Sequence, residues 1–365
     1  GGFDVEHKID PDLFTDSCTA LNEAVDRAVK LSVKWGKPDK GFIRELKRNN
    51  AVFAAFKAHR EQNDLAGLLV DDDGNARSFD SFRRAAAPVI GEYNVNWLQT
   101  EYATAVRVAR TAVRFKQYEK DGDLYPNGEW LPSRAAEPRM SHRKYYHTVR
   151  RLTDPWWETH YPGCVWGCQC DMRNTDKPVT HVGDNPAAPG AEPTTVPPSE
   201  EAGVRSPGLS RNPARSGELF SRDHPYFTSA YPGAEKAVAK KMQTIDVKQA
   251  RKEVQEWAKR EVVGKSFLNQ EIGKEIEVTS TGIKEALNQP HKYIREKNEA
   301  IRNIKQIIHE AHRVLYRPDD KGNQMVVGYH YLEFELAGEK SYIVIRETKD
   351  GRLMFYSVVD KIKGR

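Results

Sequence analysis

The sequence predicts a multidomain chain, mainly α-helical in its N-terminal half and α+β at its C-terminal end, with an irregular Cys/Trp/His-rich segment between. Three observations predict it. Apolar residues recur at three- and four-residue spacing from Asp10 to about Arg114, a turn-rich aromatic stretch runs from about Phe115 to Thr180, and strand-like alternation follows a helical stripe after Val326. At 365 residues the chain is long enough for two or three cores.

In chain order, Leu21, Ala24, Val25, Ala28, Val29 and Leu31 form the first helical stripe, with Asp16 and Ser17 as expected caps. Phe53 and Phe56 continue the pattern, and Thr100 to Arg110 reads as another long helix. Residues 1–182 are therefore expected to be a helical domain closed by the Cys-rich segment. The proline-rich run from Gly183 to Arg205 has too few apolar residues to offset the entropy of ordering, so 183–207 is expected to be an exposed linker that lets the C-terminal domain move or be released. Residues 208–264 hold a tail and a connecting helix, Ala234 to Val263. A C-terminal domain, 265–365, starts with a strand at Ile276 and a helical turn or two from Gly282 to Asn288. Ile294, Ile301, Ile304, Ile307, Ile308 and Ala311 predict one long amphipathic helix. Three strands come next, Val326–Leu336, Ser341–Glu347 and Leu353–Val359, the last two joined at Asp350-Gly351, a strong hairpin signal. The expected arrangement is one helix on an antiparallel sheet.

Composition narrows the function classes. The longest apolar runs, such as Ala51 to Phe56, are too short to span a bilayer, so no membrane role is expected. Residues 1–7 lack the basic flank and apolar core of a signal peptide. Four cysteines do not make a secreted disulfide scaffold, which points to a reducing compartment. A net charge of +5 permits nucleic-acid contact without arguing for it. Cys164, Cys168 and Cys170, with His160 just upstream, crowd four soft donor groups into one segment. Three explanations stand side by side: a structural zinc on those four residues, reduced cysteines packed among Trp156, Trp157 and Trp166, and a disulfide or reactive thiol. His142, His147 or His181 can join only through the fold.

The segments Arg139-Met-Ser-His142, Asp154-Pro-Trp-Trp157 and Trp166-Gly-Cys-Gln-Cys170 together resemble the R-x-S-H, D-P-x-W and W-G-C-x-C signature of the phage Mu protein F-like minor head proteins. Gly208 to Pro213 and Phe220 to Phe227 resemble the tail of that pattern, which would cover about residues 10–235; Cys164 is a departure from it. The resemblance implies a virion component at the capsid interior or portal vertex, assembled in a bacterial cytoplasm, with portal and head proteins, and packaged DNA, as partners.

The run Thr281 to Tyr293, the helix after it, and the strands at Tyr329 and Ser341 resemble the phage-associated members of the barnase/EndoU/colicin/RelE-like (BECR) nuclease group, a helix followed by a curled four-stranded sheet. This implies a toxin-like ribonuclease that cleaves RNA without a metal. Such cleavage needs a base, an acid and a cation at the phosphorane. His291 and His330 are the acid/base candidates and Arg346 the phosphate clamp. Tyr356 and Ser357 are placed beside them as supporting catalytic residues, and Lys284, Lys292, Tyr293, Ser341 and Tyr342 as substrate contacts. A structural role competes for each: His330 shares its face with Leu332, Phe334 and Leu336, and Arg346 is expected to pair with neighbouring Glu347. Residues 261–365 hold 18 Lys+Arg against 16 Asp+Glu, which suits a specific RNA, or an inactive binding module, better than a general RNA-degrading enzyme.

Overall fold

The structure, a computed structural model, describes residues 3–32, 39–180, 205–320 and 322–362. The expected linker, apart from 205–207, and His181 lie outside the described residues. The chain divides into two compact units, 1–242 and 243–365.

In the first unit, α1 (Pro11–Ser32) packs against α2 (Lys40–Gly67) and α4 (Leu98–Lys120). Leu21, Ala24, Val25 and Ala28 are fully buried, as the stripe predicts, and so are Phe53, Phe56, Ala109 and Phe115 of the two partner helices. The helix begins earlier than Asp16: the Asp10 carboxylate accepts from the Asp12 and Leu13 amides, and Pro11 occupies a position whose missing N–H costs nothing. Asp39 caps α2 and Ser78 caps α3 (Phe79–Gly91) in the same way. Between α3 and α4 the backbone widens into a π-helical turn, Glu92–Trp97. A fully buried Lys57 meets Glu101 at 2.6 Å, and the Tyr226 hydroxyl donates to the other Glu101 oxygen at 2.9 Å. That third partner compensates charges removed from water.

The Cys/Trp/His-rich segment is more ordered than its lack of periodicity suggests. β1 (Asn127–Leu131) lies between β2 (Val149–Arg151) and β3 (Asp171–Thr175) in an antiparallel sheet, with short 3-10 turns at Met140–Tyr145 and Pro155–Glu158. Residues 208–228 belong to the same unit. Phe220 stacks on Phe53 with ring centroids 4.0 Å apart, and Asn49 exchanges two hydrogen bonds with the Phe220 backbone.

The boundary between the units falls inside α5 (Ala234–Glu261). In the second unit a six-stranded sheet runs β4-β5-β9-β8-β7-β6, built from Ser266–Asn269, Lys274–Val278, Leu353–Val359, Glu339–Thr348, Val326–Leu336 and His312–Pro318 respectively. It is mixed rather than antiparallel, because β5 pairs with β9 in parallel. It also has two more strands than the four of the expected sheet. The single long helix is instead α7 (Ile294–Ala300), a 3-10 turn and α8 (Ile304–Glu310); the break still buries Ile301, Ile304 and Ile308. With α6 (Ser280–Asn288) and the second half of α5, these helices cover the sheet face that carries Leu332, Ile343, Ile345 and Phe355. The Asp350-Gly351 hairpin forms as the sequence indicates, with Gly351 at φ 81°. No helix among the described residues is long and apolar enough to cross a membrane.

Candidate functional sites

The Arg139–His142 and Trp166–Cys170 segments meet in space, and Trp156 of the Asp154–Trp157 segment packs edge-on against Tyr145, whose ring lies beside His142. The Arg139 guanidinium donates to the Trp166 carbonyl at 3.1 Å. Asp154 accepts from the Trp156 amide at 2.8 Å and from buried Arg150 at 3.3 Å, and the Arg150 guanidinium lies 4.8 Å from the Trp156 ring centre. His142, on the Met140–Tyr145 turn, is 1% exposed and sits edge-on to Trp130. Around it lie the three thiols: Cys168 and Cys170 Sγ at 3.5 and 3.7 Å from Nδ1, and Cys164 Sγ at 3.8 Å from Nε2. None of the four cysteines is in a disulfide. The hydrogen bond from Cys170, with help from His142, holds the Cys168 thiol below its ordinary range, and Cys170 is pushed up. Burial pushes the Cys164 thiol up to about 12. The ligand atoms of His142, Cys168 and Cys170 all fall within 4.8 Å of one another, so this group can hold a metal ion.

His160, the imidazole expected in that set, lies outside the group, whose imidazole is His142. The Pro155–Glu158 turn folds His160 back, its ring stacks on Trp156 at 4.8 Å, and Nδ1 faces the Thr159 hydroxyl and the Trp156 carbonyl. Burial lowers it to about 4. Sequence spacing favoured His160; only the fold brings His142 to the thiols.

In the second unit the expected catalytic residues lie in three places. His330 is 6% exposed, and its Nε2 meets Glu347 at 3.1 Å. Burial lowers its pKa, and the Glu347 carboxylate opposes that shift. Arg313, Tyr316, His330 and Glu347 line an open cavity of about 590 Å³. His291 Nε2 faces Ser341 Oγ at 3.3 Å, while its Nδ1 accepts from the Tyr293 amide. Beside it the Lys292 ammonium and Tyr293 hydroxyl each donate to Glu339 at 2.6 Å. Arg346 lies over the Tyr356 ring at 4.1 Å, with Tyr329 next to Tyr356. His330 pairs across the ladder with Ile345, so neighbouring Arg346 projects from the opposite face. For the same reason Glu347 serves His330, and the expected Arg346–Glu347 pair does not form. Ser357 is buried and pairs with Val344, Tyr342 pairs with Glu333 and Val359, and Lys284 is exposed on α6. Glu339, Glu347, Arg313 and Tyr316 were missed, although Glu347 lies two residues from Ile345, on the same strand face as His330.

Over 108 residues the chain is 32% identical to "Putative capsid assembly protein F" of Escherichia phage Mu, a match covering 29% of this chain and 22% of that protein. Over 104 residues it is 29% identical to "Mu-like prophage FluMu F protein" of Haemophilus influenzae, covering 28% and 22%. The similarity is to phage capsid assembly proteins. The aligned part spans little more than a fifth of these F relatives. Residues 245–356 match a second family, described as Large polyvalent protein-associated domain 3. No solved structure matches the chain.

Proposed function

We propose that this chain is a phage or prophage head-morphogenesis protein that acts near the portal and contacts other head components. The observation that carries this reading is the meeting of the R-x-S-H and W-G-C-x-C segments at His142, with Trp156 of the D-P-x-W segment packed on Tyr145 beside it, together with the similarity to the two F-type proteins. A zinc at the cysteine cluster would tie the Arg139–His142 and Trp166–Cys170 segments together. A chain ending at residue 264, after α5, is expected to co-assemble with portal protein and enter particles. If it stays outside while the full chain enters, the assembly determinant lies in the C-terminal unit.

A second reading, metal-independent RNA cleavage by the C-terminal unit, is favoured by His330 and Glu347 in an open cavity with Arg313 and Tyr316. His–carboxylate pairs suit proton transfer, and Arg313 would meet a phosphate there in place of Arg346. His291 and Ser341 form a second pair with the same chemistry. Full-length protein incubated with transfer RNA and total RNA in EDTA is expected to cleave, and His330→Ala to lose the cleavage. Loss in His291→Ala instead would move the chemistry to the Ser341 cluster, and no cleavage in any variant leaves a binding module.

A further inference from the structure

The cysteine cluster contains more detail than a candidate metal group. For a tetrahedral zinc with Zn–S about 2.3 Å and Zn–N about 2.0–2.1 Å, the nitrogen-to-sulfur edge is about 3.5 Å. His142 Nδ1 lies 3.5 and 3.7 Å from Cys168 and Cys170, close to that edge without any movement. Cys164 differs: its sulfur lies 3.8 Å from the other ring nitrogen and outside the group whose donor atoms fall within 4.8 Å of one another. An imidazole that binds metal through one nitrogen commonly donates its other N–H to a fixed acceptor, which sets its tautomer and orientation. The group contains no carboxylate, so its donors are the soft kind that select zinc over magnesium or calcium.

We propose that His142 Nδ1, Cys168 Sγ and Cys170 Sγ are the three protein ligands of a zinc ion, and that Cys164 accepts the Nε2–H of the same imidazole without touching the metal. This rests on the zinc reading above and assigns its ligands. The three donors belong to the R-x-S-H and W-G-C-x-C segments, and Cys164 is the residue outside that pattern, so the assignment separates pattern from departure. The fourth position is left to water beside Cys170, which is only half-buried.

The test is metal content and cobalt substitution of the reduced full-length chain. Cys164→Ser is expected to keep stoichiometric zinc and the full thiolate-to-cobalt charge-transfer intensity, with metal affinity weakened by about 10- to 100-fold. Cys168→Ser and Cys170→Ser are each expected to lose about half of that intensity or all metal. A drop of about a third in Cys164→Ser, as for one of three thiolate ligands, overturns the assignment while sparing the zinc reading. No zinc in the wild type and no charge-transfer band on adding cobalt overturns both. Cys164→Ala gives the same readout should a hydroxyl disturb folding at this buried position.

Discussion

His224 shows how much one imidazole can govern. Its Nδ1 accepts from the Tyr226 amide at 3.1 Å, which only the unprotonated nitrogen can do, and burial lowers the group to about 4. Unfolded, it titrates near 6.5. Between those values the unfolded chain binds the extra proton, so this residue's contribution is complete above pH 6.5 and lost as pH falls through 4. The gap corresponds to at most about 3 kcal/mol. Urea unfolding followed by tryptophan fluorescence should show a lower midpoint at pH 4.5 than at pH 7, and His224→Asn, which keeps an acceptor, should lessen the difference. His330 gives the opposite lever. Glu347 supports its charged form, so Glu347→Gln should lower the His330 pKa in an NMR titration; an unmoved value would mean that the pair is not formed in solution. These partnerships were partly legible. The chain order shows that His330 and Glu347 have odd spacing, and in an uninterrupted ladder parity alone cannot say which residues of two strands face each other. The register had to be seen.

Among the elements, α6 shows a close approach that no periodicity announces. Its Thr279 cap accepts from the Gly282 amide, and a side chain at Gly282 would drive into the Phe355 carbonyl of β9. Gly282→Ala should destabilise the C-terminal unit by roughly 1–3 kcal/mol, as overpacking does, and denaturant unfolding checks it. The C-terminus of α6 is closed by Lys297, which is fully buried and donates to the carbonyls of Ala286 and Gln289. Burial lowers it to about 8. Lys297→Met should therefore loosen the last turn of α6, read as faster amide exchange there. The helical stripes of α1 and the strands β7 to β9 were plain in the sequence because each element has one apolar period. The parallel β5–β9 pair was not, since its partners lie far apart in the chain, and β1 to β3 were hidden because short strands of mixed polarity carry no period.

For the whole molecule, the bulk argument for several cores agrees with the two compact units, and each closes a core of its own. Two unfolding transitions are therefore expected in a denaturant series, the second unit followed through Trp257 after Trp→Phe replacement in the first; a single coincident transition would show that the cores unfold together. The motif that resembles that of the head proteins was legible because its residues are rare and closely spaced, whereas the candidate cleavage residues were chosen by type and lie in three separate places. The clasp of Phe220 and Asn49 on α2 has a further consequence for proteolysis. The chain downstream of residue 204 first returns to the N-terminal helices and only then enters the second unit. A protease that cuts within 181–204 would thus leave a nicked complex, its C-terminal piece still moored to the N-terminal one through residues 205–242. Freeing the last domain as cargo would require a cut farther along the chain, beyond that mooring.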